Sequence, residues 1–495
     1  MRSTAVLIAA AVAFAMAAAT AGAATFADAP CPAAATVIND AHARCGFLTV
    51  PERHSRPDGR AIRLMVAIVP AVSSQPAPDP IVHMTGGPGG VDFGEAQLMI
   101  AAGVNRNRAL ILMEQRGSYL TEPALTCPVV DAFNAKLVGL RYDAESTRRA
   151  HVAATRACRR QLVSRGADLR AYNTSENALD FADLRRALGI AQWNVFGVSY
   201  GSTLAQRLMR IDPAGIRSAT LDSTVPVAGV ALPPVWENAR AGFSAVFKAC
   251  SAQRACRARY PHLERTFTRL VRSLEAHPLT TTVKSASGQR TRVVLDGGAL
   301  VNWLVSVSLD TPHFTKVPAW IHALAAGDPK PIATARAASV TPPGFVSYGL
   351  LYGVVCREWT PFAAQRDIAR AGRRAFPRYP ASVLTQAPQF PHFNEDCDAW
   401  QVPSAPPSFR TATRSDIPTL ILSGTFDAVT SLAWAHDAAK TLTRSTIVRI
   451  PGVGHSVLPQ SKCAQSIEAS FLADPMAPST ACAAQLAPPA FAVSP

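Results

Sequence analysis

The chain has 495 residues, 48% of them hydrophobic and 17% charged, which excludes a disordered chain and leaves enough apolar surface for a large core. The formal net charge is +15, but only seven of the 49 basic residues are lysine and the arginines are scattered. Without a dense basic run interleaved with aromatics, this argues against a nucleic-acid partner and for a solvated, arginine-biased surface.

Residues 1–23 read as a signal peptide. Arg2 supplies the positive start, TAVLIAAAVAFAMAAA from Thr4 the apolar run, and Ala21, Gly22 and Ala23 a small-x-small cleavage site. The run is short for a spanning helix of about 20 residues, and no second hydrophobic span follows, so no integral membrane association is expected. The ten cysteines fit export to a periplasmic or extracellular, disulfide-permissive compartment. Neighbours in sequence are available as pairs, Cys31 with Cys45, Cys127 with Cys158, Cys250 with Cys256, Cys356 with Cys397 and Cys463 with Cys482; the sequence leaves that connectivity open. No C-x-x-C or H-E-x-x-H spacing is present, so neither metal nor cofactor is expected.

From about residue 60, apolar β-branched runs alternate with helical patterns. AIRLMVAIVP (61–70), PIVHMTG (80–86) and RALILMEQRG (108–117) read as strands. ENALDFADLRRALG (176–189) reads as an amphipathic helix, with Leu179, Ala182, Leu184 and Leu188 apolar, charges between them and Gly189 as the stop. WNVFGVS (193–199) is the next strand, YGSTLAQRLMRI (200–211) the next helix and SATLDST (218–224) another strand. The alternation predicts a mostly parallel, buried sheet flanked by helices. Residues 226–415 are mainly helical or irregular and proline-rich, and strand patterns return at PTLILSGTFD (418–427) and STIVRIPGVGH (445–455). The expected layout is a first core part (24–225), a helical lid insertion (226–415), a second core part (416–485) and a flexible tail (486–495).

Gly197-Val198-Ser199-Tyr200-Gly201 is a G-x-S-x-G stretch between a strand and a helix. A serine hydroxyl is a poor nucleophile unless a base lies within hydrogen-bond reach and an acid orients that base. The sharp strand-to-helix turn presents the hydroxyl, and its crowding demands glycine on both sides. The partners should follow in the order acid, then histidine, each past a later strand. Asp427 and His455 occupy those places. Asp427 read alone could merely cap a helix, and His455 read alone could be a polar loop residue. His83, inside a strand pattern, reads as a packing residue, and Glu395, Asp396 and Asp398 as a solvated acidic loop. An oxyanion hole needs two backbone donors. Tyr200 follows the nucleophile, and the glycine loop HMTGGPGG (83–90) offers Gly87, with Gly89 second, since Pro88 has no N–H.

These blocks resemble the α/β-hydrolase superfamily, and within it the secreted serine exopeptidases of the proline iminopeptidase and tripeptidyl aminopeptidase group. GGPGG resembles that group's oxyanion loop, EQRGSYLTEPALTCP (114–128) its D-x-R-G-x-G-x-S-x-P segment, GVSYGS its nucleophile elbow, and LILSGTFDAVTS with GVGHSV its acid and histidine blocks. Glu114, Tyr119, Thr121 and Thr85 stand where that group usually has Asp, Gly, Ser and His. The resemblance implies an α/β-hydrolase fold with a large lid, and cysteines in the lid and after the histidine, as Cys356, Cys397, Cys463 and Cys482 are placed.

The implied function is hydrolysis of peptide bonds near a free N-terminus through an acyl-enzyme. The alternative is a secreted carboxylesterase or lipase-like enzyme using the same triad; a catalytically dead binding protein is disfavoured by the complete triad. The partner is a peptide or small ester substrate. An aminopeptidase must hold a cationic N-terminus, and Glu237 and Glu358, beside tryptophans in the insertion, are the candidate carboxylates.

Overall fold

Short branched-aliphatic runs form the strands in this computed structural model, which describes residues 24–493 apart from 230, 231, 285–287, 289, 310 and 389–392. The expected signal peptide lies outside the described residues. The strands are β1 (Thr25–Asp28), β2 (Arg44–Pro51), β3 (Ala61–Val69), β4 (Ile81–Met84), β5 (Leu110–Met113), β6 (Thr121–Glu122), β7 (Trp193–Val198), β8 (Ile216–Asp222), β9 (Leu279–Lys284), β10 (Arg290–Leu295), β11 (Thr419–Gly424) and β12 (Ser445–Ile450).

The main sheet runs β1-β2-β3-β5-β4-β7-β8-β11-β12, with β6 beside β3. From β5 to β12 all neighbours are parallel, while β1, β2 and β3 pair antiparallel at one edge. This is the α/β-hydrolase fold. Every residue of β4, β5, β7 and β11 is buried, as strands covered on both faces require. On one face Phe181 and Leu184 of helix Thr174–Ala187 and Leu204 and Leu208 of helix Tyr200–Ile211 pack with Val195 and Ile421. On the other, Met99, Ile467 and Phe471 pack with Phe196, Leu420 and Leu422. The helix before β7 begins at Thr174 rather than at the expected 176 because Asn173 caps it, its Oδ1 accepting from Ser175 and Glu176 N–H.

The chain between β8 and β11 is mainly helical, as expected, but it also contains the β9–β10 hairpin. LTTTVK keeps a half-exposed alternation that the proline-rich surroundings obscure. β1 and β2, N-terminal to the first strand expected, extend the antiparallel edge. The tail also departs from expectation. Instead of hanging free, Phe491 is buried against Phe426, its N–H donates to Gln253 Oε1 at 3.0 Å, and Ala492 N–H donates to Thr315 O at 2.8 Å. The cysteines form the five sequential pairs, 31–45, 127–158, 250–256, 356–397 and 463–482.

Candidate active site

In open α/β sheets, sites form at the carboxyl ends of strands near a reversal of strand order. Here β4, β7, β11 and β12 deliver the glycine loop, Ser199, Asp427 and His455 to that one edge.

Ser199 takes φ 56° and ψ −126°, a conformation that non-glycine residues hold only when their surroundings enforce it. Its N–H is tied to Asp222 O at 3.0 Å. The flanking glycines are obligatory. A Cβ on Gly197 would strike Gly201 O, and one on Gly201 would strike Met84 O. Helix Tyr200–Ile211 starts directly behind the serine, so the Tyr200 N–H points out of the helix start without an acceptor among the described residues. The Gly87 N–H, on a residue at φ 114°, is likewise without an acceptor. The neighbouring glycine makes the closest approach: a Cβ on Gly86 would come within 2.8 Å of Ser199 Cβ. Sequence reasoning chose Gly87 as a donor and did not single out Gly86.

Asp427 is buried. Its Oδ1 accepts from Val429 N–H at 2.7 Å and Thr430 N–H at 2.9 Å; its Oδ2 accepts from Thr430 Oγ1 at 2.6 Å and lies 2.9 Å from His455 Nδ1. His455 is also held through its backbone, with its N–H donating to Ser308 O at 2.6 Å. Burial opposes charging of the imidazole, but Asp427, and beyond it Asp222 and Glu95, outweigh that and raise its pKa above the ordinary histidine value. Among the described residues no hydrogen bond joins Ser199 Oγ to His455.

Asp222, which sequence reading passed over, links the two halves of this arrangement. Its carbonyl takes the Ser199 N–H, and its carboxylate accepts from Val457 and Leu458 N–H, both at 2.8 Å, just past His455. The available signal was an acid closing a buried strand, the same signal that marked Asp427. His83 is a buried packing residue, its Nδ1 2.5 Å from Asp92 Oδ1 and its ring stacked on Phe196. In the segment after β5, Glu114 accepts from Phe93 N–H and Ser118 Oγ, with burial pushing its pKa to about 7. Arg116 forks onto Asp180 at 2.7 and 2.6 Å.

The chain was compared with known proteins. The family model described as TAP-like protein matches residues 384–482, which include Asp427 and His455. The chain thus has the α/β-hydrolase fold and a segment similar to the TAP-like family. The tripeptidyl aminopeptidases of Streptomyces coelicolor and Streptomyces lividans are each 26% identical to it over 189 residues, 37% of this chain and 35% of theirs. The match thus spans about a third of the length of these curated relatives. The crystal structure of proline iminopeptidase from Mycobacterium smegmatis aligns at a TM-score of 0.40 with 14% identity, covering 84% of this chain and 96% of that one.

Within this fold the two expected substrate carboxylates lie apart. Glu237, in the first turn of helix Val235–Ala252, is 47% exposed and pairs with Arg374 at 3.4 Å. Glu358 is buried behind the elbow, where it accepts from the Thr174 N–H at 2.9 Å and the Thr174 hydroxyl, which also meets Tyr200 OH at 2.9 Å. Burial pushes its pKa to about 7. Both are therefore occupied by partners from the protein itself. A third carboxylate, Glu95, was missed. It ends the turn Asp92–Glu95 just after the glycine loop, is half-buried, and has no hydrogen bond or ion pair among the described residues. It lies within electrostatic range of both His83 and His455, while burial raises its own pKa. Nothing in its local sequence, GGVDFGEAQ, distinguishes it from a surface acid.

Among the described residues no cluster of His, Cys, Asp and Glu is arranged to hold a metal ion, and no helix is long and apolar enough to cross a membrane.

Proposed function

We propose that this chain is a serine hydrolase that cleaves peptides near their free N-terminus through an acyl-enzyme on Ser199. The observation that carries the proposal is the 2.9 Å Asp427–His455 contact, delivered to the same sheet edge as a serine held at φ 56° between two obligatory glycines. Asp427 holds the imidazole with its proton on Nδ1, leaving Nε2 free to take the Ser199 proton as Oγ attacks the carbonyl. Catalytic hydrogen bonds of this kind tighten when substrate binds. The Tyr200 and Gly87 amides receive the oxyanion, as two donors fixed before the charge develops. His455 then protonates the departing amine, and water repeats the cycle on the ester.

Support for peptides over simple esters comes from the similarity to the tripeptidyl aminopeptidases and from Glu95. A half-buried carboxylate without a partner is costly unless a cation completes it, and a peptide ammonium supplies one. Glu95, rather than Glu237 or Glu358, is the residue we assign to that contact. The five disulfides and the N-terminal apolar run support a secreted or periplasmic location.

The test uses purified mature protein with an unblocked tripeptidyl anilide, its N-acetylated form and a short-chain nitrophenyl ester. Release of chromophore from the unblocked anilide, abolished by acetylation, is expected. Turnover of the ester with none of either anilide would replace the peptidase reading by the carboxylesterase one. Near-wild-type turnover by Ser199→Ala would remove both.

A further inference from the structure

The chain between β8 and β11 contributes to a second cavity, ≈ 300 Å³ in volume, whose walls include Tyr142, Asn302, Arg336, Tyr348 and Tyr352. Arg336 demands an explanation. It stands on helix Lys330–Ala338, is only 8% exposed and forms no ion pair among the described residues. Its Nη1 donates to Ala299 O at 2.8 Å and, at long range, to Asn302 Oδ1 at 3.4 Å, while its Nε has no partner. A guanidinium offers five donors in a planar fork, and burying one without a counter-charge costs several kcal/mol. The carboxylate that acts on it, Asp296, is already engaged: Oδ1 accepts from Ala299 N–H at 2.7 Å and Oδ2 from Tyr142 N–H at 2.5 Å. Burial accordingly draws the Arg336 pKa below its ordinary value despite Asp296. A purely structural strut would use more of its donors.

The other walls state what kind of ligand fits. Leu137, Val340 and Leu351 are apolar, the tyrosine rings add flat aromatic surface, and Asn134 and His151 add polar groups beside them. We propose that this cavity binds a carboxylate carried on an apolar body, with the Arg336 fork pairing to the carboxylate and the aliphatic and aromatic walls covering the rest. Volume and chemistry suit an aryl-alkyl or short aliphatic carboxylate, or an apolar residue at a peptide C-terminus. One backbone bond connects the cavity wall to the candidate active site. Val346 and Tyr348 in its wall flank Ser347, whose N–H donates to Gly89 O of the glycine loop at 2.8 Å.

The experiment is direct binding, independent of turnover. Full-length mature Ser199→Ala protein is titrated by calorimetry with 4-phenylbutyrate and with its neutral isostere 4-phenylbutyramide. Saturable binding of the carboxylate is expected, with the amide at least about tenfold weaker because it cannot form the charged fork. Arg336→Met should reduce the carboxylate to the level of the amide. Removing a buried, uncompensated charge does not itself endanger folding, and circular dichroism verifies this. If that variant fails to fold, Val346→Trp, which fills the cavity and retains Arg336, should abolish binding. Equal affinities for carboxylate and amide, no saturable carboxylate binding, or binding unaffected by the substitutions would overturn the proposal.

Discussion

Asp427→Asn tests the proposed machinery at the point where the geometry constrains it most. Asp427 accepts on both oxygens: two backbone N–H groups meet Oδ1 at 2.7 and 2.9 Å, and the Thr430 hydroxyl and His455 Nδ1 meet Oδ2 at 2.6 and 2.9 Å. Asparagine has one acceptor oxygen. The backbone donors of Val429 and Thr430 claim it, because an amide NH2 on that side would oppose two fixed donors. The NH2 therefore faces His455 Nδ1 and forces that nitrogen to accept. The ring proton moves to Nε2, the atom that must take the serine proton. A wrong tautomer of this kind costs about 10⁴-fold in kcat, or about 5 kcal/mol of transition-state stabilisation. The pH profile should move as well. Asp427 is the leading contributor that raises the His455 pKa against burial, so without its charge the pKa falls. Activity needs neutral histidine, so the acid limb of kcat/KM shifts to lower pH while its plateau drops. Steady-state hydrolysis of an unblocked tripeptidyl anilide across the pH range reads both effects, with circular dichroism as the control for folding. A loss below about tenfold together with an unmoved acid limb would refute the assignment.

Other substitutions probe separate parts of the structure. Glu95→Gln should raise KM for the unblocked anilide by about tenfold, the loss of one charge-assisted contact, and leave nitrophenyl-ester hydrolysis unchanged on the pH plateau, where His455 is neutral; parallel losses on both substrates there would assign Glu95 a general structural role. Gly201→Ala puts a methyl on Met84 O between two core elements, and should cost about 3 kcal/mol or more, read as a lowered melting temperature; a fully stable variant would contradict the packing described. Glu468 is buried with the Thr220 hydroxyl as its donor, and its pKa is pushed to about 8. Its folded pKa lies above the unfolded one, so wild type loses stability as pH rises from about 4.5 through about 8. Glu468→Gln has no proton to lose, and its melting temperature should gain on wild type between about pH 5 and 8 and level off above that; a constant gap would refute the pKa shift.

The sheet and its order along the chain were legible because buried parallel strands leave uninterrupted apolar runs such as LILM and NVFGV. The elbow could be read because one backbone geometry admits only glycine at Gly197 and Gly201, so a structural demand leaves its mark on residue identity. Asp222 and Glu95 carry no such mark. An acid after a strand or a glutamate in a short turn has many uses, and only three-dimensional neighbours separate them. The same reason misplaces Glu237 and Glu358. Proximity to tryptophans in sequence does not say that one glutamate faces solvent and an arginine while the other is buried beneath Thr174. β9 and the tail were obscured for different reasons: β9 pairs with the adjacent β10 but carries only a short polar alternation in proline-rich surroundings, whereas the tail is held by partners far away in the chain, Phe426 and Gln253.

Those long-range contacts bear on what the segment between β8 and β11 does. Its contacts with the site include Ser308 O, which holds the His455 N–H, Ser347 N–H, which holds Gly89 O, Asn238 Nδ2, which donates to Val429 O, and Glu358, which holds Thr174, which in turn meets Tyr200. Each is a bond to His455 or to a residue beside or in contact with one whose placement the proposed chemistry needs to within a fraction of an ångström. Interiors packed at crystal-like density transmit displacements rather than absorbing them. A change in this segment that leaves substrate contacts untouched should therefore alter kcat through the histidine, the glycine loop or the elbow, and alter KM only where it reaches the cleft. The segment is better described as a second support for the site than as a cover over it, and this distinguishes it from a removable cap, whose loss would change selectivity alone.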